Sequence, residues 1–121
     1  MGTGFLQVGI FEEKTGRPVK GALVTVWGGE VALCRESDAN GRVRRIALPC
    51  PDRRYSMEPQ RRVRPYARYG VQAEKAGWRG VRVKGVQIFD GRTTMQNILM
   101  KPGPSAEFEV FEIPESHLWA D

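Results

Sequence analysis

The stretch Ala22-Leu23-Val24-Thr25-Val26-Trp27-Gly28-Gly29-Glu30-Val31-Ala32-Leu33-Cys34-Arg35-Glu36-Ser37-Asp38-Ala39-Asn40-Gly41 decides the fold class. Ala22, Val24 and Val26 recur at every second residue, which is the side-chain period of a strand and not of a helix. The Gly28-Gly29 pair breaks that run, and Val31 to Glu36 starts another. Asn40-Gly41 follows, a dipeptide that tolerates positive φ and favours tight hairpins. Arg42 to Leu48 is then expected to return beside the preceding strand.

The same grammar extends in both directions. Leu6, Val8 and Ile10 alternate with Gln7, Gly9 and Phe11, and Thr15-Gly16-Arg17-Pro18 closes that first strand with turn residues. Tyr69, Val71 and Ala73 lead to a corner at Gly77-Trp78. Val81 and Val83 are out of phase with Val86 and Ile88, and a one-residue slip at Gly85 predicts a β-bulge. Asp90-Gly91 turns the chain into Gln96, Ile98 and Met100, closed by Pro102. About seven short strands at this spacing predict an all-β fold, an antiparallel sandwich. The chain has 121 residues, enough for one core without a metal or disulfide staple. Residues 1–102 read as the sandwich and 103–121 as a C-terminal tail.

Charge is unevenly placed. Residues 53–68 hold Arg53, Arg54, Arg61, Arg62, Arg64 and Arg68 against Glu58 alone. The tail holds Glu107, Glu109, Glu112, Glu115 and Asp121 and no Lys or Arg. Pro49 to Pro65 lacks periodicity and reads as a long ordered loop. With Tyr55, Tyr66 and Tyr69 interleaved among the arginines, it is the candidate binding surface. Guanidinium forks grip phosphate or carboxylate, and aromatic rings stack on sugars or bases. An anionic wall polymer, peptidoglycan, nucleic acid or an acidic protein would satisfy that chemistry. The same residues also read as a solvated loop whose tyrosines cap the sandwich and whose arginines pair locally or with the acidic tail. A zinc finger, basic helix or RNP-type motif is missing, which argues against nucleic acid.

The tail alternates acid and apolar residues over Phe108-Glu109-Val110-Phe111-Glu112-Ile113. With Trp119, these apolar residues form a candidate partner or assembly element, expected to pack on the chain's own sheet or on another protein. Of Trp27 and Trp119, one is expected in the core.

Catalysis finds little footing. The one histidine, His117, lies in the tail, Ser56 has no histidine near it in sequence, and Asp38 reads as a turn former. Cys34 and Cys50 are expected free and reduced, no CxxC is present, and no metal site or cofactor is expected. The start, Met1-Gly2-Thr3-Gly4-Phe5, has neither a cationic nor an apolar leader segment. This predicts cytoplasmic synthesis without a signal peptide, with release by lysis or incorporation in a spore or particle. No apolar run is long enough for a bilayer.

Three segments together carry a family likeness: Thr15-Gly16-Arg17-Pro18-Val19-Lys20-Gly21-Ala22-Leu23-Val24-Thr25-Val26, Ser37-Asp38-Ala39-Asn40-Gly41-Arg42-Val43, and Tyr69-Gly70-Val71-Gln72-Ala73-Glu74-Lys75-Ala76-Gly77-Trp78. The chain resembles the carboxypeptidase regulatory-like domain, a prealbumin-like (transthyretin-like) seven-stranded sandwich. Pro65-Tyr66-Ala67-Arg68-Tyr69, Gly85-Val86-Gln87-Ile88-Phe89-Asp90-Gly91, Gln96 and Ile113-Pro114 look like the N-terminal propeptide-type domain of clostridial spore cortex-lytic enzymes. That resemblance implies a non-catalytic accessory module of the bacterial cell wall or spore. One prealbumin-like branch hydrolyses 5-hydroxyisourate with core histidines and a C-terminal Tyr-Arg-Gly-Ser, and this chain matches neither. The alternative is a structural subunit of a phage tail or phage-like particle that assembles through the tail.

Overall fold

The computed structural model describes residues 2–52 and 66–114. They form eight strands and no helix: β1 (Gly2–Glu12), β2 (Leu23–Gly28), β3 (Val31–Glu36), β4 (Arg42–Cys50), β5 (Ala67–Glu74), β6 (Gly80–Ile88), β7 (Thr93–Met100) and β8 (Phe108–Glu112). A three-stranded sheet runs β4-β1-β7 and a five-stranded sheet runs β3-β2-β5-β6-β8.

The core lies between the sheets, built by the alternation read above. Leu6, Val8 and Ile10 of β1 face Val24, Val26, Val71 and Ala73 of the larger sheet, all fully buried. Burying each such side chain favours folding by about 1.5–3 kcal/mol. Ala22 enters the core and Trp78 packs half-buried against it. Trp78 is placed by a turn in which its N–H donates to the Lys75 carbonyl at 3.0 Å. Trp27 does not enter the core: it lies half-buried on the outer face of β2. Trp119 is outside the described residues.

The expected phase slip at Gly85 is present. Tyr69 pairs with Val86 but Val71 pairs with Val83, and Gly85 has φ 79°. A second slip escaped the sequence reading. Leu6 pairs with Ile46 but Val8 pairs with Val43, which leaves Arg44 and Arg45 both exposed on β4.

Two expectations are corrected. The sandwich is not wholly antiparallel and not seven-stranded: β7 runs parallel to β1, and β8 adds an eighth strand parallel to β6. The segment after β3 does not close a hairpin. β3 pairs with β2 while β4 pairs with β1, so Ser37 to Gly41 carries the chain from one sheet to the other. The cause is a side chain with no apolar signal. Ser37 is buried, its hydroxyl donates to the Val19 carbonyl at 2.7 Å, and its oxygen accepts from the Ala22 N–H at 2.9 Å. These bonds pin the end of β3 to the entry of β2. On the other side the Ile10 N–H donates to the Gly41 carbonyl at 2.6 Å and draws β4 toward β1. Only Gly41 takes positive φ, at 72°; Asn40 does not. The Asp38 carboxylate accepts from the N–H groups of Asn40 and Arg42 at 2.9 and 3.0 Å, as its turn-forming reading requires.

Candidate functional site

The basic-aromatic candidates separate in the structure. Arg53, Arg54, Tyr55, Arg61, Arg62 and Arg64 lie outside the described residues. Tyr66 and Tyr69 are 2% and 5% exposed, so neither offers a face for stacking, and that part of the binding expectation is corrected. Tyr66 packs its ring 5.3 Å from that of Phe89. Tyr69 donates its hydroxyl to the Pro49 carbonyl at 2.5 Å. Burial pushes its phenol above the ordinary value, and the neighbouring Cys50 adds to the rise. Tyr69 looks inward because it shares the buried phase of β5 with Val71 and Ala73, whereas Tyr66 lies just before the strand and packs on Phe89.

Arg68, the arginine of the series among the described residues, reaches the surface. It stands on the outer face of β5, beside the Gly85 bulge. A Cβ on Gly85 would lie 2.5 Å from an Arg68 guanidinium nitrogen, so the guanidinium rests directly on the glycine backbone. Next to it the Trp27 indole covers Gly70 in the same way, with 2.2 Å to the position a Cβ would take. Two planar groups thus lie against glycines of neighbouring strands. With Lys84 and Glu112 they line a shallow groove of about 310 Å³. Glu112 reaches an Arg68 nitrogen at 3.6 Å. The Arg68 Nε is buried without a hydrogen-bond partner among the described residues. The sequence reading singled out Arg68 and Gly85 but missed Trp27 as their neighbour. The available signal was Gly70 in mid-strand, since a glycine there marks close approach by another group.

The tail candidates are better gathered. Phe108, Val110 and Phe111 belong to β8, Ile113 packs on the core, and Trp119 is outside the described residues. The Phe108 ring lies on Gly80, with Arg82 5.2 Å above it. Ion pairs follow the same edge: Glu107 meets Arg79 at 2.6 Å, Glu109 meets Lys101 at 3.6 Å, and Lys101 also reaches Glu13 at 3.3 Å. Glu13 first, then Glu109, holds the Lys101 ammonium above its usual range. Such exposed pairs contribute about 0–1 kcal/mol each. Among the described residues the acids on and beside β8 are therefore served by cations of the sandwich and by Arg68. Val110 and Phe111 remain 52% exposed apiece.

Both cysteines are free; Cys34 is exposed and Cys50 buried. Burial pushes the Cys50 thiol above its usual value, and the Asp90 carboxylate adds to the rise. Among the described residues no three His, Cys, Asp or Glu side chains are grouped as metal ligands, and no helix is long and apolar enough to cross a membrane.

No family model matches the chain, and no curated protein matches it. Solved structures do. A 5-hydroxyisourate hydrolase of Klebsiella pneumoniae superposes with a TM-score of 0.55 at 18% identity, over 82% of this chain and 91% of that one. The Bacillus anthracis TIE protein gives 0.59 at 16% identity, over 84% of this chain. The chain spans only 17% of that protein's length. A minor pilin of Streptococcus agalactiae gives 0.56 at 15% identity, over 95% of this chain and 49% of the pilin. At such identities the likeness concerns the fold alone, and the chain is similar in fold to domains that serve quite different proteins. The fold is that of a prealbumin-like β-sandwich.

Proposed function

We propose that this chain is a non-catalytic interaction and structural accessory module that engages a protein partner through the open edge of β8. The observation that carries the reading is the state of that strand. β8 ends the five-stranded sheet, so among the described residues its outer row of N–H and C=O groups has no neighbouring strand. Val110 and Phe111 flank that row half-exposed, on opposite faces. An exposed edge with apolar side chains is a template for pairing with another chain, and natural sheets normally blunt such edges with charge, proline or a covering element. What supports a role in the bacterial cell wall or spore is the resemblance of Pro65–Tyr69, Gly85–Gly91 and Ile113-Pro114 to domains of spore cortex-lytic enzymes.

A second reading has its own observation. Head-to-tail assembly needs two different surfaces on one subunit. The outer face of the three-stranded sheet supplies another apolar surface, with Met95 52% and Leu99 53% exposed. A subunit of a phage tail or phage-like particle would use both; one neighbour of similar fold is a minor pilin.

The test is the mass in solution, by light scattering, of the full chain and of a Val110→Ser/Phe111→Ser variant. The expected result is an oligomer that the variant reduces to monomer. A monomeric full chain assigns the edge to a foreign protein, to be read by pull-down with both forms. Association that the variant leaves untouched removes β8 from the interface and overturns the reading.

A further inference from the structure

We propose that the groove on the outer face of the five-stranded sheet binds a saccharide bearing a carboxylate, with Trp27 as the stacking platform and Arg68 and Lys84 as the anion grip. The site does not depend on what occupies the edge of β8.

The argument starts from the floor. In a sheet, the outer face is usually ridged by side chains at every second position. Here Gly70 and Gly85 remove two of them, and the space is taken by an indole and a guanidinium laid flat on the backbone. The underside of Trp27 is thereby covered by Gly70, and the indole is among the groups that line the groove. A half-buried, backbone-supported indole loses little freedom when a ring settles on it. The groove is shallow, which suits a ligand that lies along the sheet rather than one that inserts.

The polar groups then select the ligand. Arg68 and Lys84 supply two cations against the single carboxylate of Glu112. Arg68 brings more than charge, because its side chain is 31% exposed and its planar fork matches a carboxylate, whose two oxygens accept in parallel. The Glu112 carboxylate has only acceptor capacity to offer, so it suits hydroxyls. An apolar ring face, an acid and neighbouring hydroxyls together describe a uronic-type sugar. A nucleic acid fits less well. Its affinity comes from many phosphates, and Glu112 would sit among them with only one net positive charge to oppose it.

The experiment is amide and indole NMR of the full chain titrated with trigalacturonate, with a neutral galactose trisaccharide, and with hexathymidylate. Trigalacturonate is expected to shift the Trp27 indole N–H and the Gly70 and Gly85 amides saturably, with Kd of roughly 1 mM or below. The neutral trisaccharide should bind on the order of tenfold more weakly through loss of the charged hydrogen bonds. Trp27→Ala should weaken binding roughly tenfold, and Trp27→Phe should restore most of it by stacking. Lys84→Glu, at an exposed position with no packing role, should weaken it roughly fivefold and flatten its salt dependence. The proposal is overturned by any of three results: no saturable shift at Trp27, binding that survives both Trp27→Ala and Lys84→Glu, or tighter binding of hexathymidylate at the same resonances.

Discussion

The first and last strands of the described chain make the same kind of bond and have opposite fates. β1 and β8 each run parallel to a neighbour, β7 and β6 respectively. β1 has strands on both sides and three fully buried side chains, Leu6, Val8 and Ile10. Among the described residues β8 has a strand on one side only, and none of its five residues is buried. Ladder hydrogen bonds exchange for bonds to water at modest net gain. What separates the two strands is therefore burial, and burial decides which strand defines the fold and which is added to it.

The sharpest way to break that contrast is at Leu6. Leu6→Ala removes a fully buried side chain at the centre of the smaller sheet. It should cost about 2–5 kcal/mol, including the cavity left behind, read by urea unfolding. A cost below about 1 kcal/mol would mean that β1 is not the core strand its burial indicates.

Ser37 comes next. Ser37→Ala leaves the Val19 carbonyl and the Ala22 N–H without their partner in a buried setting. The expected loss is about 1–3 kcal/mol. Since Ser37 holds β3 on β2 while Gly41 sends β4 to β1, hydrogen exchange should quicken at the β2–β3 end and spare β1–β7. Equal quickening in both sheets would show that Ser37 is not the device that parts β3 from β4.

Much of this was legible in the sequence, and the failures have a common cause. The strands of the core appeared because apolar residues at period two report burial directly. The Gly85 bulge appeared because a phase slip is visible when apolar residues flank it. The crossing at Ser37 to Gly41 did not, because its information lies in one hydroxyl and in the choice of partner strand, which is a long-range matter. Tyr66 and Tyr69 were legible both as binding aromatics and as caps on the sandwich, and the six arginines around them in the sequence left that choice open; their burial decides for the cap. Between Trp27 and Trp119 the sequence did not choose a core residue; the strand alternation of Val24 and Val26 places Trp27 on the outer face. The groove was illegible as a site because Trp27, Arg68 and Lys84 meet only when β2, β5 and β6 are laid side by side.

A smaller effect concerns the turn that serves both sheets. The Arg42 N–H, hydrogen-bonded to the Asp38 carboxylate, holds that group below its ordinary value of 3.8, with help from the Asn40 N–H and the charges of Arg44 and Arg42. A depressed folded-state value means that Asp38 stabilises the fold at neutral pH. That contribution is lost as pH falls past 3.8 and through the folded-state value. The stability difference between the native chain and Asp38→Asn should therefore narrow between about pH 5 and pH 2. A difference that stays flat or widens on acidification would show that the turn does not depend on the ionised carboxylate.

The smallest effect is expected at Phe111, and it carries the comparison furthest. Phe111 pairs in register with Val83, which is buried, yet it stays 52% exposed because no strand of the described residues lies beyond it. Half of its apolar surface is already in water in the folded chain, so removing the ring forfeits only part of a full burial term. Phe111→Ser should change the unfolding free energy of the dilute monomer by about 1 kcal/mol or less. At high protein concentration, or with the partner present, the same substitution should shift the transition much more, because an association that buries the ring adds its binding energy to stability by mass action. A loss of several kcal/mol in the dilute monomer would instead place β8 beside β1, as a strand the fold needs and not one held out for another chain.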